Sequence, residues 1–372
     1  MQLGCLPLLF KRSYGVFQVE AIARKGRFQM ECRYLTVCLL LAVSVWMPIE
    51  AASQPTSSPT PPRTPWGDPD LQGIWNNATL TPLQRPDEMV DLEFLSEEQV
   101  ANIEQQTVGR NARLLTAPAQ RTQAGGNVGA YNNFWMERGT TVVPSRRTSL
   151  IVDPPDGKLP PLTPEADRRL NSMESRRIAD MRGGRSPVDS WEALDLGDRC
   201  LWYRGIPSFP TGYNNNYHIV QTSQFVAILQ EHIHDVRFIP LDGRPHVSGT
   251  IRQYGGDSRG RWEGDTLVVE TTNFNDKAFI RNFNGQLSEA LRVVERFSWV
   301  DADTLGYEFT VDDSQTWTAA WSGSLPMARV SGPMFEYACH EGNYGLMNML
   351  AGSRAAEREG STGKFLIPGS IQ

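Results

Sequence analysis

The sequence predicts a mainly β protein, an antiparallel up-and-down barrel with a helical and irregular N-terminal wrap. From about residue 200 onward, short apolar runs alternate with turn signals at intervals typical of all-β folds. Explicit turns such as Trp262–Asp265 and Asp301–Asp303 separate several runs, and short meander connections favour a closed or curled antiparallel sheet. Helical periodicity is absent from this half of the chain.

Residues 1–52 are predicted to be a leader, because Met30 to Ala52 have the pattern of a secretory signal. Arg33 supplies the positive flank, and the apolar run from Leu35 to Val45 is shorter than the roughly 20 residues needed to span a bilayer. We therefore expect a periplasmic or secreted protein without a stable membrane anchor in its mature form. Residues 53–65 are rich in Pro, Thr and Ser, which predicts a disordered linker.

The wrap is predicted to occupy residues 66–199 and to contain two helices. A capping box that begins at Ser96 predicts a helix over 97–106. Thr163, followed by proline and glutamate, predicts a second helix over 164–181.

The barrel is predicted over residues 200–350, and residues 351–372 are expected to form a flexible tail. Seven runs of this region carry β-branched and aromatic residues between turn signals, which predicts strands, and the wrap contains one further short run of this kind. The eight predicted strands are 148–152, 217–222, 225–232, 234–240, 266–273, 290–299, 304–311 and 316–325.

Cysteine usage and charge narrow the class of protein. Cys200 and Cys339 remain when the three cysteines of the leader are set aside, and in an oxidising compartment they form one disulfide or stay as two buried thiols. The formal net charge of −6 argues against a nucleic-acid partner. The sequence contains no phosphate-binding loop, dinucleotide fingerprint or serine-nucleophile elbow, so we expect a different kind of small-molecule ligand or substrate.

Four of the five histidines lie between residues 218 and 246, on strand-like sequence. His232 and His234 are two residues apart, and on a strand such positions share one face. With His246 or His218 as a third ligand, this spacing fits a divalent metal such as zinc. Two partly exposed strand histidines, or an acid–base pair without a metal, fit the same pattern.

Two histidines are each followed by a carboxylate, in His234-Asp235 and His340-Glu341. Neighbouring strand side chains diverge, but a carboxylate of one pair can fix the tautomer of the other pair's histidine. A disulfide at Cys339 would tie His340 to the loop that precedes the histidine strands. We therefore predict these four side chains as the catalytic acid–base groups, with satisfied structural histidines as the alternative.

Five side chains are predicted to bind substrate. Tyr213 and Asn215 belong to a run of three asparagines between two tyrosines, which forms either a lining of donors or a tight polar turn. Arg244 offers a forked donor to an oxyanion, and Trp262 offers an aromatic wall. Glu270 lies in an apolar strand and faces either a cavity, with a raised pKa, or solvent.

Two further arginines, Arg237 and Arg252, offer the same forked geometry as Arg244, although exposed arginines are commoner.

Four phrases resemble an uncharacterised family of exported bacterial proteins. They are RTSLIVDPPDG at 147–157, IPLDGRPH at 239–246, GDSRGRWEGDTLVV at 256–269 and YACHEGNYG at 337–345. The resemblance covers residues 66–357 and implies export, but it implies no activity. Members carry a methionine-like residue at the position of His232, which favours His234, His246 and His340 as the functional trio. A looser similarity to lipocalin-like barrels concerns the fold alone.

These observations predict an exported enzyme that acts on a small, partly apolar molecule by histidine and carboxylate acid–base chemistry. A lyase, an isomerase or a hydrolase fits, with or without a metal. The alternative is a non-catalytic, lipocalin-like carrier of a hydrophobic ligand, lined by Trp75, Trp202, Trp262 and Phe274. The enzymatic interpretation requires that three distant imidazoles gather around one pocket.

Overall fold

The structure is a computed structural model that describes residues 60–116, 136–172, 190–194, 196–202, 205–277 and 287–358. All of them belong to one compact unit, Ser57–Gln372. The predicted leader, most of the predicted linker and the chain beyond residue 358 lie outside the described residues.

The protein is mainly β, as predicted, and its strands form one antiparallel sheet of eleven strands. The strands are β1 Gly73–Asn76, β2 Ile151–Asp153, β3 Asn216–Gln221, β4 Phe225–Gln230, β5 Val236–Pro240, β6 Asp257–Glu263, β7 Thr266–Thr272, β8 Arg292–Trp299, β9 Thr304–Asp312, β10 Trp321–Ser324 and β11 Met327–Val330. The helices are α1 Glu97–Thr116, α2 over 164–172 and α3 Tyr344–Arg358. Two strands, β1 and β2, come from the segment that was predicted as a helical and irregular wrap.

The strand order is β5-β4-β3-β1-β11-β9-β8-β7-β6, and β10 pairs with both β9 and β2. This is the order of a meander in which β1 lies between β3 and the last strand, β11. A hydrogen-bonded pairing of β5 with β6 would therefore complete an up-and-down barrel. No ladder joins β5 to β6 among the described residues, and the sheet is not closed. The two edges nevertheless approach each other, because side chains from the β5 edge lie against the backbone of Gly260 in β6. A Cβ built on Gly260 would lie 2.8 Å from both Ile239 and Leu241.

Strands β3, β4, β5, β7, β8 and β9 agree with prediction to within two residues, because local apolar alternation and local turns define them. Sequence reasoning missed β6, whose buried positions hold Ser258 and Gly260 instead of large apolar residues. β11 was also missed, and β10 is shorter than the predicted strand 316–325.

The prediction that His232 and His234 share one strand face is wrong. β4 ends at Gln230, and residues 232–234 form a single 3₁₀ turn in which Ile233 has a φ of 62°. A β-branched residue in this region is strained by roughly 1–3 kcal/mol. Ile233 is buried, and burial of an isoleucine gains about 1.5–3 kcal/mol, which offsets the strain.

The helix α1 begins with the predicted capping box. The Ser96 N–H donates to Gln99 Oε1 at 2.8 Å, and the Gln99 N–H donates to Ser96 Oγ at 3.1 Å. The helix continues to Thr116, ten residues beyond the predicted end, because the sequence contains no proline before that point and the helix tolerates Gly109.

The other two helices differ from prediction in how far they extend. At the start of α2, Thr163 Oγ1 accepts from the Ala166 N–H at 3.1 Å, and the predicted residues 173–181 lie outside the described part. Residues 351–358 belong to α3, so this part of the predicted flexible tail is helical. Within the described ranges, none of the helices has the length and apolar character required to cross a bilayer.

Large aromatic side chains fill the buried face of the sheet. Trp75, Trp317, Trp321 and Tyr307 are each 1% exposed or less. The rings of Trp317 and Trp321 meet edge to face at 5.7 Å, a favourable arrangement for aromatic pairs.

The predicted disulfide between Cys200 and Cys339 is confirmed, and it joins positions 139 residues apart. Disulfides persist in oxidising compartments, so the bond fits an extracytoplasmic protein.

Candidate functional site

A cavity of about 600 Å³ lies beside the start of β5. Its wall combines apolar side chains with charged and hydroxyl groups, as ligand sites do. The lining residues are Leu201, Trp202, Ile206, Asp235–Phe238, Arg252–Ser258 and Asn275.

Segments that carry the three predicted histidines meet near this cavity. His234, whose side chain is outside the described part, directly precedes the lining residue Asp235. His246 Nδ1 lies 2.8 Å from Oδ2 of the lining residue Asp257. His340 is exposed, but its neighbour Cys339 is bonded to Cys200, which precedes the lining residue Leu201.

The disulfide limits how far His340 can lie from the cavity wall. Consecutive Cα atoms are about 3.8 Å apart, and the Cα atoms of the two cysteines are 5.7 Å apart. The Cα of His340 therefore lies within about 13 Å of the Cα of Leu201. Glu341, the predicted carboxylate beside His340, is also exposed.

Asp257 is the residue that organises this side of the cavity, and sequence reasoning missed it. Its Oδ2 accepts from the Val247 N–H at 3.2 Å as well as facing His246, and its Oδ1 pairs with Arg259 Nη1 at 2.9 Å. The Asp257 side chain is only 10% exposed. An ionised carboxylate only accepts, so this contact assigns the ring proton of neutral His246 to Nδ1 and leaves Nε2 as the basic nitrogen.

A glycine turn places Asp257 at the start of β6. Gly256 has a φ of 65°, and a Cβ at this position would lie 2.4 Å from the Thr272 carbonyl oxygen. The turn is closed by a hydrogen bond of 3.3 Å from the Gly256 N–H to the Gln253 carbonyl. Only glycine fits both the backbone conformation and the close approach.

A buried ionic group lies behind the cavity wall. Arg237, which lines the cavity, donates from Nη1 to Glu295 Oε2 at 2.7 Å, and Tyr307 donates its hydroxyl to Glu295 Oε1 at 2.9 Å. The side chains of Arg237 and Glu295 are 10% and 3% exposed. Burial, followed by the charge of Glu295, raises the pKa of Tyr307 well above its usual value, so Tyr307 remains a donor.

Tyr213 and Asn215 are not among the residues that line the cavity. The Asn215 amide is buried, accepts from the Thr211 N–H at 2.8 Å and donates to the Glu137 carbonyl at 2.9 Å. Its hydrogen bonds therefore fit the alternative of a tight polar turn. Tyr213 stacks on buried His232, with ring centroids 5.6 Å apart.

The other predicted binding residues also lie away from the cavity lining. Arg244 is exposed and pairs with Asp242, with Nε 2.6 Å from Oδ2. Of the four aromatic residues predicted to line a carrier's pocket, only Trp202 lines this cavity. Trp75 and Phe274 are fully buried in the core, and Trp262 packs against it.

Glu270 has a lowered pKa, which excludes the alternative of a cavity position with a raised pKa. Arg292 donates to both of its oxygens at 3.0 Å, and these hydrogen bonds hold the pKa of the carboxyl below its usual value against partial burial. Strand β7 turns this side chain toward the half-exposed face, where the guanidinium of the neighbouring strand reaches it.

The Glu270–Arg292 pair predicts a small pH effect on stability. A carboxyl with a lowered folded pKa contributes stability above its unfolded pKa of about 4.3 and loses it as the pH falls through the folded value. We expect Glu270→Gln to destabilise the protein by less than about 1 kcal/mol at pH 7, because Arg292 is half exposed. The difference between variant and wild type should shrink in urea titrations at about pH 3.

The matched control is Glu308→Gln on β9, an exposed glutamate for which the described residues provide no ion pair. This substitution should leave stability unchanged at both pH values. If Glu270→Gln behaves in the same way, the pair contributes nothing measurable.

The described residues contain no group of three or more His, Cys, Asp and Glu side chains that could hold a metal ion. Of the predicted zinc ligands, His232 stacks on Tyr337 at 4.6 Å, and His246 is engaged by Asp257.

No protein-family model matches the sequence, and no curated protein is significantly similar to it.

Proposed function

We propose that this protein is an exported enzyme that binds a small, partly apolar molecule in the cavity and acts on it by histidine and carboxylate acid–base chemistry. The observation that supports this proposal best is the 2.8 Å contact between His246 Nδ1 and Asp257, a residue of the cavity wall. Carboxylates that orient a histidine in this way recur in sites of proton transfer.

In this proposal Asp257 fixes the ring of His246, and Nε2 exchanges the proton with the substrate. Asp235 provides a second carboxylate on the same wall, while Trp202 and Ile206 supply apolar surface. His234, His340 and Glu341 remain the other predicted acid–base groups. The chemistry is a proton transfer within a lyase, isomerase or hydrolase reaction.

We also propose a barrel fold and a location outside the cytoplasm. The strand order and the approach of β5 to Gly260 support a lipocalin-like up-and-down barrel that is open between β5 and β6. The disulfide supports residence in the periplasm or outside the cell. Large side chains fill the core of the sheet, so a carrier would have to bind its hydrophobic ligand in the cavity beside Trp202.

The test is a screen for proton transfer. Purified protein is incubated in D₂O with a panel of small ketones, esters and lactones, and NMR detects deuterium incorporation, isomerisation or cleavage. We expect conversion by the wild type and a loss of at least about a hundredfold in His246→Ala and Asp257→Asn, the range found for general acid–base groups. His234→Ala and His340→Ala in the same assay test the remaining histidines.

The matched control is His218→Ala, since His218 is a half-buried histidine of β3 outside the cavity lining. This variant should keep full activity. A long-range ¹H–¹⁵N spectrum should show the Nδ1–H form of neutral His246, and Asp257→Asn should abolish that preference. Tight binding without conversion of any panel member would instead support a carrier.

A further inference from the structure

Arg237, whose side chain is 10% exposed and lines the cavity, has an unused donor there. Only Nη1 of its three guanidinium nitrogens has a hydrogen-bond partner among the described residues, and buried Nε is without one. The Nε–H and Nη2–H bonds form one edge of the planar guanidinium, separate from the Nη1 donor that Glu295 engages. Nε is out of contact with solvent, whereas Nη2 is not, so Nη2 is the donor that a ligand oxygen in the cavity can reach.

The partner of Arg237 decides which ligand oxygen fits. Glu295 is almost fully buried, receives hydrogen bonds from both Arg237 and Tyr307, and balances the guanidinium charge. A ligand carboxylate at Nη2 would lose its hydration and also be repelled by Glu295 across the guanidinium. A neutral carbonyl oxygen also accepts a hydrogen bond from the guanidinium, but it loses far less hydration and is not repelled by Glu295.

We propose that the cavity recognises a neutral carbonyl group, as in a ketone, ester or lactone, through the Nη2 donor of Arg237, and discriminates against the corresponding carboxylate. Trp202 and Ile206 contact the apolar body of the ligand. The inference rests on the proposed function only in taking this cavity as the substrate site.

The test uses benzylacetone and hydrocinnamate, which share a phenylethyl group and differ in carrying a methyl ketone or a carboxylate. Neither can be hydrolysed, so calorimetry or ligand-observed NMR measures binding alone. The wild type should bind the ketone at least about tenfold more tightly than the carboxylate. Glu295→Gln keeps the shape of the site and removes the negative charge, so the ratio of the two affinities should shift toward the carboxylate by at least about tenfold.

A double variant separates binding from folding, because Arg237→Met alone leaves Glu295 buried without its counter-charge. In Arg237→Met/Glu295→Leu both charges are removed together, and a cooperative unfolding transition verifies the fold. This variant should lose at least about tenfold in affinity for the ketone.

Equal affinities for the two probes, no detectable binding of either, or an unchanged ratio in Glu295→Gln would each overturn the inference. Selective ketone binding without turnover of any carbonyl compound would contradict the proposed enzyme and leave the inference standing. Turnover that is lost in His246→Ala but unchanged in Glu295→Gln and in Arg237→Met/Glu295→Leu would support the proposed enzyme and contradict the inference.

Discussion

Glu295→Ala is expected to destabilise the protein by about 3–5 kcal/mol, because it leaves the Arg237 guanidinium buried without its counter-charge. The substitution also removes the acceptor of the Tyr307 hydroxyl, which is 2.9 Å from Glu295 Oε1. An unsatisfied buried donor costs about 1–3 kcal/mol, so the two losses act in the same direction. Urea denaturation followed by tryptophan fluorescence measures the change.

Glu308→Ala provides the matched control, because it makes the same substitution at an exposed glutamate. Glu308 lies on β9, next to the strand of Glu295 and directly opposite Arg296. It should change stability by no more than about 0.5 kcal/mol. The double variant Arg237→Met/Glu295→Leu should lose less stability than Glu295→Ala, because it leaves no charge buried and retains only the cost of about 1–3 kcal/mol for the Tyr307 hydroxyl without its acceptor. A single Glu295→Ala variant as stable as Glu308→Ala would show that the pair is not buried as described.

The local part of the fold was predictable because each hairpin is encoded by neighbouring residues. Strands β8 and β9 alternate buried positions with more exposed ones, and the turn between β6 and β7 contains Gly264, which has a φ of 61°. The break between β5 and β6 was not predictable, because it depends on the shape of the whole sheet. Local patterns carry no information on such closure.

The site was predicted in part, and its failures have physical causes. Residues of the cavity wall neighbour the segments of His234, His246 and His340, but neither His246 nor His340 is itself a lining residue. Residues 232–234 form a turn in which Ile233 has a φ of 62°, and this turn removed the shared strand face on which the metal site depended.

The key carboxylates were missed because their partners are distant or irregularly placed in sequence. Asp257 follows a glycine turn and meets His246 eleven residues away. Glu295 meets Arg237 across 58 residues. A charged residue within a buried strand face, as in the run from Val293 to Phe297, was the signal available for Glu295.

The disulfide is expected to have an effect on stability of about the same size as that of Glu295. Cys200→Ser/Cys339→Ser should cost about 4–5 kcal/mol, because the bond closes a loop of 139 residues and limits the entropy of the unfolded chain. The folded geometry should change little, since Asn343 Nδ2 still donates to the Asp198 carbonyl at 3.0 Å and Tyr337 still stacks on His232.

This combination of effects gives the disulfide prediction a clear test. Urea denaturation of the wild type with and without a reductant should reproduce the loss seen in the serine variant, and the reductant should leave that variant unchanged. Leu201 and Trp202 directly follow Cys200 and line the cavity. Because the folded geometry should change little without the bond, the serine variant should still bind benzylacetone at urea concentrations well below its denaturation midpoint. If binding disappears in a fully folded variant, the bond shapes the cavity wall itself, and the entropic account of its role is wrong.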